Sequence, residues 1–269
     1  MDRQAEVIRS RTNSVLKRAR SVGRGKEEGF VLVEGERLIR DAASAGHLPE
    51  VLLVAEGQLP AAQDFTDQCA AEGSEVRGCA AGLMEGLGSL KNAPGMAGIF
   101  HVPPARGLEQ LRALVGTERA LILGIAGVAD PGNLGALARV AEAAGAACLV
   151  VAPGGARPFG PKALRGSMGS LFRLPVVEPS GLGEAILELE ALGFEQCVAA
   201  TRGGQSMHDH PFTRRTVLWM TSETGEVPPE LGGCNGITIP MQGAVESLNA
   251  AVAGALLLYS ASAGQQDGR

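Results

Sequence analysis

The chain has few cysteines, and no two of them lie close together. Cys69, Cys79, Cys148, Cys197 and Cys234 are odd in number and form no CxxC pair. This fits a reducing cytosol better than a disulfide framework and argues against structural zinc. No apolar run is long enough to cross a bilayer, and the N-terminus lacks the apolar core of a secretory signal, so a cytoplasmic globular protein without membrane association is expected. The dinucleotide fingerprint GxGxxG is missing too. Its nearest approach, Gly132-Asn133-Leu134-Gly135, does not fit, and a Rossmann dehydrogenase loses its main support. His208-Asp209-His210 reads as loop rather than as ligands, and no metal is expected.

What is present points to two α/β domains. A length of 269 residues with 45% apolar content suits two cores rather than one. The net charge of −5 is unevenly distributed: eight Lys/Arg lie between Met1 and Lys26 against Asp2 and Glu6, giving this segment +6 and the remainder −11. Such a patch can be the footprint of a phosphate-rich partner, and a solvated basic helix accounts for the charge equally well. Its Arg-rich, Ser-containing composition also suits a transit peptide.

Residues 30–34 and 51–54 read as strands around a helix over 35–45. The run Pro103-Pro104-Ala105-Arg106-Gly107 has linker composition, which places domains over 1–103 and 108–269 with a linker at 104–107. In the second, strands ALILGIAG, ACLVVAP, RLPVV, QCVAAT, TVLWMT and GITIPM alternate with helices over 134–144 and 182–192, and a last helix runs through 240–260. GGARPFGPKALRGSMGS reads as a Gly/Pro-rich loop. Strands alternating with helices predict a mostly parallel sheet covered on both faces. Ligands of such sheets bind beyond the carboxyl ends of strands, which singles out the loops after GIAG, WMT and TIPM.

In the first of these loops, Asp130 and Pro131 form a helix start. Gly135 and Arg139 follow four apart on one helical face, with Asn133 near the N-terminus; an arginine on such a helix is by itself most simply a solvated position. In the second, an apolar strand ends in Ser222-Glu223. In the third, an apolar helix opens with Glu246-Ser247-Leu248-Asn249, where Ser247 is the simplest candidate cap.

Together the three loops resemble the motifs of the SpoU-type (TrmH-like) RNA ribose 2′-O-methyltransferases of the SPOUT superfamily. Asp130, Pro131, Asn133, Gly135 and Arg139 match N/D-P-x-N-x-G-x-x-x-R. Ser222 and Glu223 match the second motif, and Ile239, Pro240, Met241, Gly243, Ser247, Leu248 and Asn249 match I-P-M-x-G-x-x-x-S-L-N. The segment RGSMGSLFRLPV also looks like the family's, and the N-terminal region resembles a substrate-binding domain of the ribosomal L30e type, which argues against a removable transit peptide.

The resemblance implies a C-terminal α/β domain with a trefoil knot and a mostly parallel sheet, and a smaller L30e-like α/β domain before it. It implies S-adenosylmethionine as cofactor, held around Thr221, Ser222, Thr224, Gly225, Ile239, Pro240, Met241 and Leu248. Arg139 is the implied catalytic residue, with Asn133, Glu223, Ser247 and Asn249 orienting it and the nucleotide. Asn13, Lys17 and Arg18 are the implied RNA contacts. A homodimer is expected, and ribosomal RNA is the favoured substrate over tRNA. The second motif departs from the usual G-S-E-G-x-G: positions 221–226 read Thr-Ser-Glu-Thr-Gly-Glu. Threonine tolerates positive φ less readily than glycine, and an RNA-binding relative with weak or lost cofactor binding is the alternative reading.

Overall fold

Apolar strands alternating with helices fold into two units, Met1–Pro103 and Pro104–Arg269. The computed structural model describes residues 6–88, 94–222 and 226–266. The first unit contains β1 (Val7–Ile8), α1 (Ser14–Gly23), β2 (Phe30–Glu34), α2 (Glu36–Ser44), β3 (Val51–Ala55), α3 (Gln63–Ala71), β4 (Glu75–Cys79) and β5 (Met96–His101). Its sheet has the order β1-β4-β3-β5-β2, with β4 parallel to β1 and β3, and β5 antiparallel to β2 and β3. The basic segment is ordered by its apolar spacing: Leu16, Ala19 and Val22 of α1 are buried at helical intervals. Asn13 starts that helix, its Oδ1 accepting the Val15 N–H at 2.9 Å.

The second unit contains α4 (Leu111–Val115), β6 (Ala120–Ala126), α5 (Pro131–Ala143), β7 (Cys148–Val151), α6 (Pro161–Ser167), α7 (Ser170–Arg173), β8 (Val176–Val177), α8 (Leu182–Ala191), β9 (Glu195–Ala199), β10 (Gln205–Ser206), β11 (Arg215–Thr221), β12 (Asn235–Thr238) and α9 (Ala250–Gln266). Its seven strands, ordered β10-β12-β9-β11-β6-β7-β8, are parallel at every pairing. β6 is buried along its whole length, as a central strand covered on both faces must be.

Leu111 and Val115 of α4 and Ala185, Ile186 and Leu189 of α8 pack on one face, against Ile122, Val150, Val198, Val217 and Trp219. Trp219 lies over Gly124, where an added Cβ would fall 2.2 Å from the indole, and its Nε1–H donates to Gln196 Oε1 at 2.7 Å. On the other face α9 meets α5 so closely that a Cβ on Gly254 would lie 2.2 Å from a Leu137 methyl.

Three details differ from the sequence expectation. Arg106, within the expected linker, bridges to Val177, and its carbonyl accepts the Glu178 N–H at 2.9 Å. The expected loop around residues 154–170 holds α6 and α7. Proline at N1 starts α6, and Met168 (φ 48°) with Gly169 (φ 88°) turns the chain between the two helices. Finally, α9 starts at Ala250 rather than near Pro240.

Candidate active site

The loop after β6 enters α5 through a strong cap. Asp130 Oδ1 accepts the N–H groups of Gly132 and Asn133 at 2.6 and 3.0 Å, and Lys162 Nζ donates to Oδ2 at 2.5 Å. The ammonium, followed by these backbone donors, holds the Asp130 carboxyl below its ordinary range. Gly135 serves packing: a Cβ there would meet the Ala163 carbonyl oxygen at 2.2 Å and the Ser167 nitrogen at 2.8 Å, and Gly166 of α6 lies opposite. Four residues on, Arg139 is exposed, and its guanidinium makes no hydrogen bond or ion pair among the described residues. The motif thus seats α6 with its glycine and presents a guanidinium to solvent.

The segment before α9 carries the second half of the site. Asn249, not Ser247, is the cap: its Oδ1 accepts the Ala251 N–H at 2.9 Å and lies 3.4 Å from the Val252 nitrogen. Its amide group is left to donate from Nδ2 to Asn133 Oδ1 at 3.0 Å. This bond ties the start of α9 to the start of α5 across 116 residues. Gly243, at φ 66°, turns the approach to the cap, a conformation that L side chains avoid. Glu246, whose role sequence did not suggest, lies 3.6 Å from Arg202, with both side chains largely in solvent.

Between these parts lies a cavity of about 360 Å³ at the carboxyl ends of three neighbouring strands. Ala199, Ala200 and Thr201 close the end of β9, Met220, Thr221 and Ser222 the end of β11, and Ile237, Ile239 and Met241 the end of β12. Ser247, Leu248 and Asn249 form a further wall, with Ala253 and Leu257 of α9 beneath them. The structure therefore brings together Thr221, Ser222, Ile239, Met241, Ser247, Leu248 and Asn249, with Asn133 bonded to the last. Arg139 and the exposed Pro240 are not among the residues lining this cavity. Glu223, Thr224 and Gly225 lie outside the described residues. Sequence reasoning missed the end of β9, although QCVAAT shows the same signal as the other loops, an apolar strand ending in small residues.

Among the implied RNA contacts, Lys17 is exposed. Arg18 is engaged within its own unit, donating to Glu27 at 2.9 Å and Glu50 at 2.5 Å with its guanidinium 4.7 Å from the Phe30 ring centroid. The Glu50 carboxyl is correspondingly held below its ordinary range, chiefly by that hydrogen bond.

Residues 120–259 match the SpoU rRNA Methylase family, a span that contains α5 with Arg139, the whole cavity and the cap of α9. The chain belongs to that family. The 23S rRNA (guanosine(2553)-2′-O)-methyltransferase RlmP of Bacillus subtilis is 30% identical over 231 residues, covering 85% of this chain and 86% of that relative. An AdoMet-bound rRNA methyltransferase from Sinorhizobium meliloti superposes with a TM-score of 0.83 at 25% identity, covering 96% and 97% of the two chains. The SpoU methyltransferase AviRb from Streptomyces viridochromogenes, in complex with AdoMet, gives 0.81 at 28% identity over 95% and 100%. The mostly parallel α/β architecture is that of the family. No helix of the described residues is long and apolar enough to cross a membrane.

Proposed function

We propose that the protein transfers a methyl group from S-adenosylmethionine to a ribose 2′-oxygen of RNA, with ribosomal RNA as substrate. The observation that carries this reading is the Asn249–Asn133 hydrogen bond. It fastens the cap segment that walls the cavity to the helix that presents Arg139, so one contact fixes cofactor-side and substrate-side groups together. The cavity suits the cofactor: its size falls in the range of roughly 300–1,000 Å³ of small-molecule sites, and apolar walls surround a few polar groups. The relatives' names and the AdoMet-bound neighbours support the substrate and cofactor classes.

Bound there, S-adenosylmethionine supplies an electrophilic sulfonium methyl. The chain's own task is to position a ribose hydroxyl, a poor nucleophile, and to stabilise the charge that develops on its oxygen. The Arg139 guanidinium offers five N–H donors in a planar fork and no acceptor. It therefore acts as a clamp on an RNA phosphate and on the developing alkoxide rather than as a base. Asn133, Ser247 and Asn249 orient this arrangement, with Glu223 beside Ser222, while Thr221, Ser222, Thr224, Gly225, Ile239, Pro240, Met241 and Leu248 hold the cofactor in a knotted fold.

The first unit, of the L30e type, recruits RNA through Asn13, Lys17 and neighbouring cations, with Arg18 braced between its glutamates. A homodimer forms on α9, where Val252, Leu256 and Tyr259 remain 49%, 41% and 54% exposed at helical spacing, an apolar stripe unusual on a solvated helix. Calorimetry tests the cofactor reading. Saturable binding of S-adenosylmethionine supports it, whereas no detectable heat at millimolar cofactor favours an RNA-binding relative without the reaction.

A further inference from the structure

Outside the cavity, Glu195, Cys197 and His210 each bring a ligand-type atom within 4.8 Å of the other two. We propose that these three side chains form a binding site for a divalent transition-metal ion of the zinc type. Glu195 and Cys197 alternate along β9 on one face, and His210 arrives from the segment between β10 and β11.

Cys197 Sγ and His210 Nε2 are 3.6 Å apart. Zinc bonds of about 2.3 Å to sulfur and about 2.05 Å to nitrogen around a tetrahedral centre require a separation of about 3.6 Å. Glu195 Oε1 is 3.0 Å from the same ring nitrogen, short of the roughly 3.4 Å such a centre needs, a gap that a small carboxylate rotation closes. Cys234 packs against the α8 face of the sheet and does not join the set, which leaves one coordination position for water.

The surroundings orient all three ligands. Gln205 Nε2 donates to the Asp209 carbonyl at 3.1 Å, which turns the amide oxygen toward His210 Nδ1, also at 3.1 Å. With Nδ1 held on that amide oxygen, Nε2 is the nitrogen that faces the thiol and the carboxylate, the second-sphere pattern of a metal-bound histidine. Asn235 Nδ2 and the Thr213 N–H donate to the two oxygens of Glu195, at 2.9 and 3.1 Å. The His210 side chain is only 5% exposed and that of Glu195 16%. The competing arrangement is a direct hydrogen bond from the His210 ring to the Glu195 carboxylate.

A metal there would pin the segment between β10 and β11 to β9 close to the cavity, since Ala199 follows Cys197 on the same face of that strand and lines the cavity. The site's place on β9 does not depend on the methyl-transfer reading.

The test is metal analysis of the full-length protein purified without a histidine tag or chelator and then equilibrated with zinc. About one zinc per chain is expected, with Cys197→Ser and His210→Gln each reducing it at least tenfold and Cys234→Ser retaining it. Cobalt(II) in place of zinc should give a near-ultraviolet thiolate charge-transfer band that Cys197→Ser abolishes. Because either variant could fold poorly, melting is compared in the metal-free state. Zinc should raise the melting temperature of the wild type and leave well-folded His210→Gln unchanged. Zinc below a tenth of an equivalent, no cobalt band and no thermal shift would assign the cluster to an ion pair and overturn the proposal. Loss of zinc in Cys234→Ser would overturn the three-ligand set.

Discussion

Strand β9 takes part in two different constructions. Its carboxyl end, Ala199 to Thr201, closes the cavity, while Glu195 and Cys197, earlier on the strand, face His210. The cavity is assembled from contiguous loops, each an apolar strand running into small and polar residues, and each loop leaves a local mark. The upstream cluster joins two residues of β9 to a histidine from the segment between β10 and β11 and orients them through Gln205, Thr213 and Asn235, so no contiguous stretch records it. Contiguous sites can be read from a chain, and convergent ones need the fold.

Substitution of Arg139, a motif residue that does not line the cavity, should have the greatest consequence. Arg139→Ala should lower kcat about 10²–10³-fold, the effect of deleting one donor to a developing oxyanion, while S-adenosylmethionine affinity stays within about twofold. Label transfer and calorimetry measure the two quantities separately, and a parallel loss of cofactor binding would place Arg139 in the cavity after all.

Next in size is Gly135→Ala, whose methyl would meet the Ala163 carbonyl at 2.2 Å. Overpacking of this kind should destabilise the protein by about 1–3 kcal/mol and depress the melting temperature by several degrees. Gly243→Ala meets nothing within 4 Å and is strained only by its φ of 66°, so about 1 kcal/mol is expected in the same thermal melts.

Asn249 separates capping from tethering. Asn249→Ala loses both, and its cap alone is worth about 1 kcal/mol. Asn249→Asp keeps the acceptor for Ala251 but has no N–H for Asn133 Oδ1. The aspartate variant should recover the melting temperature of the wild type and still show a raised KM for RNA or cofactor; full recovery of both would reduce the tether to a by-product of the cap.

The smallest expected effect is electrostatic. Asp130 beside Lys162, Glu142 beside Arg173 and Glu50 beside Arg18 all have carboxyls held below their ordinary range, each first by its side-chain hydrogen bond to the cation. A depressed folded-state pKa contributes stability that is present above the unfolded value and lost as pH falls through the folded one. Melting temperature should therefore fall on acidification below the usual carboxylate range, modestly because these pairs are solvent-screened. Asp130→Asn should flatten part of that slope.

Much of the fold was legible because its strands are buried on both faces and its helices obey a 3.6-residue period. The parallel sheet, the strands ending at GIAG and WMT, and the helix over 182–192 all follow from that contrast. Short elements were not legible: α6 and α7 sit in a Gly/Pro-rich segment whose prolines mark helix starts as readily as loops. The start of α9 was misplaced because Ser247 is as capable a cap as Asn249, and only the bonds from the Ala251 and Val252 N–H groups to Asn249 Oδ1 show which one the chain uses. Arg18 matched a motif position, yet its partners Glu27 and Glu50 are distant in sequence, and its engagement appears only on folding.

Ribose methylation directed by Arg139 and supported by the Asn249–Asn133 tether leaves a specific chemical trace in its product. The most direct measurement incubates ribosomal RNA with the protein and methyl-labelled S-adenosylmethionine, then hydrolyses the RNA in alkali. A ribose 2′-O-methyl group blocks cleavage at its own linkage, so the predicted result is label in one alkali-resistant dinucleotide, lost with Arg139→Ala. Label recovered in single nucleotides, as from a methylated base, or no incorporation by a protein that binds the cofactor, would contradict it.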